Sequence, residues 1–516
     1  MDSTKRQILL ITVIVAAIME LIDISIVNVA LSHMSGNLGA TLEDTSWVIT
    51  AYAIANVIII PMTSFLTTNL GRRNYYISSV LLFTFCSFMC GHSSNIWMLV
   101  FFRFLQGIGG GALISVSQAV VFELFPKEKQ GTASAIFGLG IFIGPTIGPT
   151  LGGFITEDYS WPWIFFINIP IGIMVAVSCW FLLTEPVVKP VVKAVDWLGI
   201  ALLAVGIGAL QIVLERGQIE DWFETGYITA FSIVAALSLI SFIFWELHTP
   251  NPVVNLRVLK SRTLSIAAIL TFIVGIGMFT SVFMTPVLAQ RLLNFSPTQT
   301  GMLLLPGAII ALFVLMLSGK LLQRGISPIY LIIVGFLIFI YFSWQMTLIS
   351  INTSKETLAI NLIFRAIGMA LLTVPTTMLA VSTLDPADIP QGAALNNMMR
   401  QLGGSFGISL ANTYLARRFA EHRVDFINNI TSTNILATER LNRLTGYFQS
   451  KGYDLLQAKQ KALALTEYSV SKQSTLLSYM DTYLLIGLLF AFALPLLFFV
   501  KSKGTNAVKL ETISDH

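Results

Sequence analysis

Residues 136–156 read IFGLGIFIGPTIGPTLGGFIT. Gly140, Gly144, Gly148 and Gly152 recur every fourth residue, so on a helix they line up as one bare groove. Pro145 and Pro149 interrupt the same helix one residue after two of those glycines. In water this much glycine and proline disfavours a helix. Inside a bilayer the backbone has no other hydrogen-bond partner, and a smooth glycine face lets a second helix approach closely. The stretch therefore reads as a membrane-spanning helix, its groove either an ordinary small-residue packing face or a seam across which two parts of the molecule move.

The rest of the chain agrees. Of its 516 residues 55% are hydrophobic and 11% charged, with a mean hydropathy of +0.77, and about 20 consecutive apolar residues cross a membrane. This describes an all-α membrane protein. The net charge of +4 does not point to nucleic acid, because lysines and arginines sit between apolar segments rather than in one patch. Cys86, Cys90 and Cys179 all lie within apolar runs, which reads as small buried thiols rather than a disulfide framework. The N-terminal MDSTKRQ runs straight into an apolar segment without a cleavage site, so the first spanner is expected to be retained.

Fourteen spanning segments are expected, at roughly 8–31, 47–69, 75–92, 96–122, 131–156, 163–183, 196–214, 226–246, 263–290, 298–322, 328–349, 358–383, 391–417 and 479–501. Lys5/Arg6, Arg72/Arg73, Lys127/Lys129, Lys189/Lys193, Arg257/Lys260/Arg262, Lys320/Arg324 and Lys501/Lys503 fall on one side, and only Arg216, Arg291 and Lys355 on the other. Positive charge marks the cytoplasmic face, so both termini are expected there.

The chain repeats itself. RFLQGIGGG (103–111) in segment four is echoed by RAIGMA (365–370) in segment twelve, and Gly131-Thr-Ala-Ser-Ala by Gly392-Ala-Ala-Leu-Asn. The arginines are 262 residues apart and the glycines 261. A near-constant offset predicts two six-helix bundles, residues 1–190 and 251–516, with two inserted helices in 191–250. Residues 419–478, polar but with apolar positions at helical spacing, are expected as an external helical hairpin between the last two spanners, either a passive cap or a docking surface.

Ionisable residues inside a spanning segment cost about 2.5–3.5 kcal/mol and mark function. Segment one holds Glu20 and Asp23, three apart and so on one helix face. A carboxylate in a low-dielectric, water-reached cavity can bind and release a proton near neutrality, and two on one face can share one. Asp23, nearer the membrane centre, is the first choice as proton carrier, the alternative being a carboxylate permanently paired with an arginine. Arg103 requires an anionic or carbonyl partner, which Asp23 or Glu20 can supply. Gln106, Gly107 and Gly109–Gly111 let a neighbouring helix approach. Arg365 echoes Arg103, yet no acid stands at matching depth in the second half. Arg400, amid Asn396, Asn397 and Gln401, either faces the cavity or bonds between helices. Phe137, Phe142, Met278, Phe279, Phe283, Met284, Met398 and Met399 are candidate adaptable cavity surfaces. There is no nucleotide-binding loop, metal-ligand spacing or nucleophile elbow, so neither catalysis nor a metal or other cofactor is expected. The driving force would be the proton gradient, about 2.3 kcal/mol per 100 mV and about 1.4 kcal/mol per pH unit.

With these residues in view, the chain resembles the major facilitator superfamily, within it the fourteen-spanner drug/proton antiporters, and most closely the EmrB-type multidrug exporters. LIDISIVNVAL resembles the family's acid-containing first-helix motif, which carries over to Asp23 and Asn28. FFRFLQGIGGG resembles its proton-linked fourth-helix motif, carrying to Arg103, Gln106 and Gly107. IGPTIGPTLGG resembles the antiporter motif that marks exporters, carrying to Gly144, Pro145, Gly148, Pro149, Gly152 and Gly153. RGQIEDWF (216–223) and WELHTPNPVVNLRVLKSR (245–262) are the most specific matches. The loop motif between helices two and three is kept only as Gly71, Arg72 and Arg73; Ser64, Thr68 and Asn69 replace its first Gly, its Asp and its first Arg. Glu20 is an extra acid beside the motif acid, and segment thirteen lacks the further acids that some relatives use for dicationic drugs.

The resemblance implies proton-coupled export of amphipathic, hydrophobic or cationic compounds through a cavity to which Asn28, Phe137, Phe142, Phe283, Asn396, Asn397 and Arg400 contribute. It also implies a periplasmic adaptor of the EmrA type and a TolC-type outer-membrane channel as partners, with residues 419–478 as the docking element. A dedicated exporter of one metabolite, such as a fatty acid or siderophore, and a non-transporting membrane sensor or scaffold remain as alternatives.

Overall fold

The computed structural model describes residues 3–125, 130–184, 196–218, 220–250, 252–384, 389–431 and 433–500. Lys127/Lys129, Lys189/Lys193 and Lys501/Lys503, part of the charge pattern above, lie outside that set. The helices of the first part are α1 (Ser3–Leu38), α2 (Leu42–Leu70), α3 (Arg72–Gly91), α4 (Ile96–Leu124), α5 (Gln130–Asp158), the short α6 (Trp163–Phe166) and α7 (Asn168–Leu182). Then come α8 (Trp197–Arg216) and α9 (Gly226–His248). The second part holds α10 (Arg262–Val287), α11 (Pro297–Gln323), α12 (Pro328–Gln345), α13 (Lys355–Val381), α14 (Ile389–Asn428), α15 (Ile435–Ser450) and α16 (Leu455–Ala493). No strand occurs among the described residues.

Each expected segment coincides with a helix, the sixth being divided between α6 and α7. Among the described residues eleven helices are long and apolar enough to cross a membrane, and α2 has a shorter apolar stretch at Asp44–Ile60. The expectation of fourteen spans is compatible with that count.

Polar side chains set where helices begin. Asn95 accepts from the Met98 amide, Asp196 from Gly199, Ser261 from Leu264 and Ser354 from Thr357, each satisfying an amide the first turn leaves free. Ser296 and Gln299 form a reciprocal capping box at the start of α11. Gly71 alone separates α2 from α3, at φ 83°, a conformation that side chains other than glycine rarely adopt. The α5 helix continues through Pro145 and Pro149.

The neighbours in the first part recur in the second. α1 packs on α5 as α10 packs on α14; α2 lies on α4 as α11 lies on α13; α3 lies on α4 as α12 lies on α13. The two parts meet where α5 runs against α11 and α2 against α14. The inserted α8 and α9 pair with each other, and α8 rests on α2 and α14. Gln211 of α8 donates to Ser405 Oγ of α14 at 3.0 Å, and Arg216 to Ser46 Oγ in the first turns of α2 at 3.1 Å. At the other end of the pair, Trp245 Nε1 donates to both Asp196 oxygens at 2.9 Å, and the Val254 amide donates to Glu246 Oε2 at 3.3 Å. A Cβ on Gly199 would stand 2.5 Å from Glu246 Oε1 and 2.7 Å from Asp196 Oδ2. Two buried carboxylates therefore converge over Gly199.

The expected external hairpin is helical. α14 runs unbroken for 40 residues and α16 for 39, with α15 packed on α16 between them. Arg418 Nε and His422 Nε2 meet Asp481 Oδ2 at 2.5 and 2.8 Å, and Arg423 meets Glu467 at 2.7 Å, tying the two long helices together.

Candidate functional site

Asp23 and Arg103 form an ion pair in the interior of the first part. Arg103 Nη1 donates to Asp23 Oδ2 at 2.5 Å, and the side chains are 1% and 0% exposed. The other Asp23 oxygen accepts from Gln106 Nε2 at 3.1 Å and from Asn168 Nδ2 at 2.9 Å. Arg103 also donates to Gln106 Oε1 at 2.8 Å and, through Nε, to the Val48 carbonyl at 3.2 Å. Its Cζ lies 4.2 Å from the Tyr52 ring centroid and 5.6 Å from that of Phe165. Ser87 receives bonds from Gln106 at 3.1 Å and Asn168 at 3.0 Å and donates to the Phe165 carbonyl at 3.0 Å. Helices α1, α2, α3, α4, α6 and α7 thus converge on one charge pair. A buried pair survives only when its remaining donors and acceptors are satisfied, and removing one partner costs about 3–5 kcal/mol.

Glu20 occupies a separate niche on the same face of α1. Oε1 accepts from Asn56 Nδ2 at 2.7 Å and from the Tyr52 hydroxyl at 3.3 Å. Oε2 is buried and has no hydrogen-bond partner. The expectation that either acid could hold Arg103 resolves to Asp23, and each acid has its own donors rather than a common one. Tyr52 joins the two niches, its hydroxyl on Glu20 and its ring under Arg103. The glycines of α4 make that possible: a Cβ on Gly107 would come within 2.5 Å of the Tyr52 carbonyl, and one on Gly110 within 2.3 Å of its hydroxyl.

Tyr52, Asn56, Ser87 and Asn168 were not singled out from the sequence. Asn168, a polar residue inside the apolar run WIFFINIPIGIM, carried a readable signal; the others are polar residues in mixed segments and carried little.

The glycine groove of α5 requires a correction. Ideal Cβ atoms would meet Ile18 Cγ1 at 3.2 Å from Gly140, Leu21 Cβ at 2.4 Å from Gly144, Ser25 Oγ at 1.9 Å from Gly148 and Ile26 Cγ1 at 2.8 Å from Gly152. The groove therefore clasps α1, within the first part, and is not the seam between the two parts. The junction with α11 lies elsewhere on α5, where a Cβ on Gly301 would press on Thr150 Oγ1 at 2.1 Å. Gly153 is buried and Pro149 half-buried; the side chains of Pro145 and Phe142 lie outside the described residues.

Gly71, Arg72 and Arg73 stand at the α2–α3 corner. Arg72 pairs with Glu123 near the end of α4 and donates to the Thr184 carbonyl beyond α7 at 2.9 Å. Arg73 lies over the Trp180 ring at 4.7 Å. Glu123 thus provides an acid where the loop motif has lost its own.

The remaining expected cavity residues separate. Asn28 is exposed and bonds the Ile24 and Ser25 carbonyls of its own helix at 3.4 Å. Phe137 is 3% exposed in the apolar core, so it does not line an open cavity; Phe283 is half-buried beside that core. Asn397 Nδ2 reaches across to Gln118 Oε1 of α4 at 2.7 Å, a bond between helices of the two parts. Arg400 Nη2 donates to Thr377 Oγ1 at 3.0 Å. Asn396 is buried with no partner for either amide atom. Arg365 is buried with its Nη1 unpartnered, and Thr285 stands 262 residues after Asp23, the same interval that separates the two arginines. Among the described residues no group of three or more His, Cys, Asp or Glu side chains could hold a metal ion.

The model of the Major Facilitator Superfamily matches residues 13–408. The chain is 30% identical over 502 residues to the multidrug export protein EmrB of Escherichia coli K12, covering 97% of this chain and 96% of that one. It is 31% identical over 489 residues to the fatty acid resistance protein FarB of Neisseria gonorrhoeae, covering 94% of each. The fold is similar to the crystal structure of the human organic anion transporter MFSD10 (TETRAN), with a TM-score of 0.57 at 13% identity over 95% of this chain and 100% of that one. Coverage at this level, a matching family model and helices whose contacts repeat from one half of the chain to the other lead to one assignment: the chain belongs to the major facilitator superfamily.

Proposed function

We propose that the chain is a proton-coupled antiporter that exports amphipathic, hydrophobic or cationic compounds, as the names of its multidrug-export relatives suggest. The observation that carries this reading is the buried Asp23–Arg103 pair beside Glu20, whose Oε2 has no donor. A proton on Asp23 cancels its charge and weakens its hold on Arg103, which keeps Gln106 Oε1, the Val48 carbonyl and the Tyr52 ring as alternatives. Because those groups sit on α4 and α2, protonation shifts how α1 is held against them. Protonation of Asp23 from outside releases substrate, and deprotonation inside resets the pump; Glu20 is the second acceptor, linked to Arg103 through Tyr52.

Residues 1–190 and 251–516 move as two bundles about the contacts of α5 with α11 and α2 with α14, while 191–250 stays with the α2–α14 side. Gly71, Arg72 and Arg73 form the cytoplasmic gate, with Glu123 as its acid. The protein lies in the inner membrane with both termini cytoplasmic, and residues 419–478 meet a periplasmic adaptor that continues to an outer-membrane channel.

The test is substrate-induced proton release from the detergent-purified protein, comparing wild type, Asp23→Asn and Glu20→Gln with ethidium as substrate. Release in wild type that is lost in Asp23→Asn supports the reading. Ethidium binding with no proton release in wild type refutes antiport, and release that survives Asp23→Asn but not Glu20→Gln moves the coupling proton to Glu20.

A further inference from the structure

The two parts treat buried charge differently. In the first, Arg103 is answered by Asp23 at 2.5 Å. In the second, Arg400 is 7% exposed and, among the described residues, no carboxylate lies within ion-pair reach of it; its Nη2 bonds only the neutral hydroxyl of Thr377. A guanidinium taken out of water without a counter-charge is costly, and groups of this kind are paired or bind a charged ligand. One turn earlier on the same face of α14, Asn396 is 0% exposed with neither amide atom satisfied. Unpaired buried polar groups are rare, and each needs an explanation.

These groups lie beside the junction of the two parts. Asn397, next to Asn396, bonds Gln118 of α4 across the junction of the two parts. On the other side α10 closes against the backbone, since a Cβ on Gly275 would stand 2.2 Å from the Arg400 carbonyl oxygen. Val374, Leu395 and Met398 nearby are apolar and buried. Arg365, also without an acid partner among the described residues, belongs to a different place: twelve residues separate it from Thr377 on α13, about 18 Å along the helix.

We infer that Arg400, Asn396 and Thr377 form a site for the carboxylate of an amphipathic organic anion, with the apolar body of the ligand against the neighbouring α13 and α14 side chains. A guanidinium offers two parallel donors to a carboxylate, and the Asn396 amide and Thr377 hydroxyl add neutral ones. The inference rests on the transport reading above and names the residues that hold the charged end of an anionic compound.

Equilibrium binding to the purified full-length protein, with no gradient imposed, tests it. The probes are laurate, dodecanol and dodecyltrimethylammonium, each measured in dilute buffer with and without added sodium chloride. Laurate is expected to bind at least about tenfold more tightly than dodecanol, about 1.4 kcal/mol. Arg400→Gln should remove that difference and leave dodecyltrimethylammonium unaffected. Asn396→Asp guards against a misfolded Arg400 variant: it places a carboxylate one turn from the guanidinium, so the protein should unfold at a higher temperature and lose laurate binding.

Laurate binding unchanged in a folded Asn396→Asp or Arg400→Gln variant overturns the site. So does protection by chloride alone with no laurate binding, which would make the site one for an inorganic anion. Wild type that binds laurate in the expected way but exports nothing keeps the site and fails the antiporter reading instead.

Discussion

Gly144→Ala adds a single methyl group at the tightest carbon contact of the α1–α5 clasp. That methyl would stand 2.4 Å from Leu21 Cβ, an atom fixed by its own backbone, which no rotamer change can withdraw. Ordinary contact begins near 3.4 Å, so α1 and α5 must separate by about 1 Å at this level, an overpacking that costs about 1–3 kcal/mol. Leu21 lies between Glu20 and Asp23, so the displacement falls on both acids at once. The Asp23–Arg103 pair at 2.5 Å and the Asn168 bond at 2.9 Å cannot both follow a shift of that size, and a misplacement of 1 Å in a reacting constellation can cost about 100-fold in rate. Gly140→Ala is the matched comparison: its methyl would meet the side-chain atom Ile18 Cγ1 at 3.2 Å, which can move. Thermal unfolding in detergent and export rates in everted vesicles should rank wild type, Gly140→Ala and Gly144→Ala in that order, with export falling at least tenfold in the last while it still reaches the membrane. Equal behaviour of the two alanine variants would falsify the claim that the clasp positions the acids.

Other consequences can be measured directly. Arg103→Lys keeps the charge but loses the planar fork that serves Asp23, Gln106 and the Val48 carbonyl together, so purified protein should remain folded while proton-driven export falls by more than tenfold. Asn397→Ala deletes a neutral hydrogen bond between the two parts, costing about 1 kcal/mol; its effect should appear in the rate of export and barely in the unfolding temperature. Glu246→Gln puts an amide donor where Glu246 Oε1 faces Asp196 without one, so it should raise the unfolding temperature or leave it unchanged, whereas Glu246→Ala should lower it by emptying a buried site. An unfolding temperature that drops equally in both would show that the two carboxylates are not opposed there.

What could be read before the fold was seen follows from what a bilayer demands. Length and apolarity place most of the helices, because a segment that crosses lipid has few other options. The pairing of an intramembrane Arg with an intramembrane Asp was legible because each charge alone is costly, as Asp23 and Arg103 show. Helix rotation was not legible. An apolar stripe faces lipid, a neighbour in the same half or the opposite half with similar chemistry, so the α5 glycines could be seen to require a close partner but not that the partner is α1. The same ambiguity hid Tyr52 and Asn56, whose roles depend on which face of α2 meets α1. Asn397 was left open between a cavity and a helix contact until Gln118 was found opposite it.

On the antiport reading proposed above, the long helices of the second part carry the motion of the bundle out to the hairpin. α14 packs on α10 at Gly407, where a Cβ would meet the Ile276 Cα at 2.8 Å, and continues without a break to Asn428. At 1.5 Å per residue that is an arm of about 32 Å, and a tilt of about 10° at its root swings the tip by about 6 Å. The ion pairs to Asp481 and Glu467 make α16 swing with it. The hairpin is then a pointer: a distance from its tip to the first part of the chain would follow each stroke without a label anywhere near the charges that drive it.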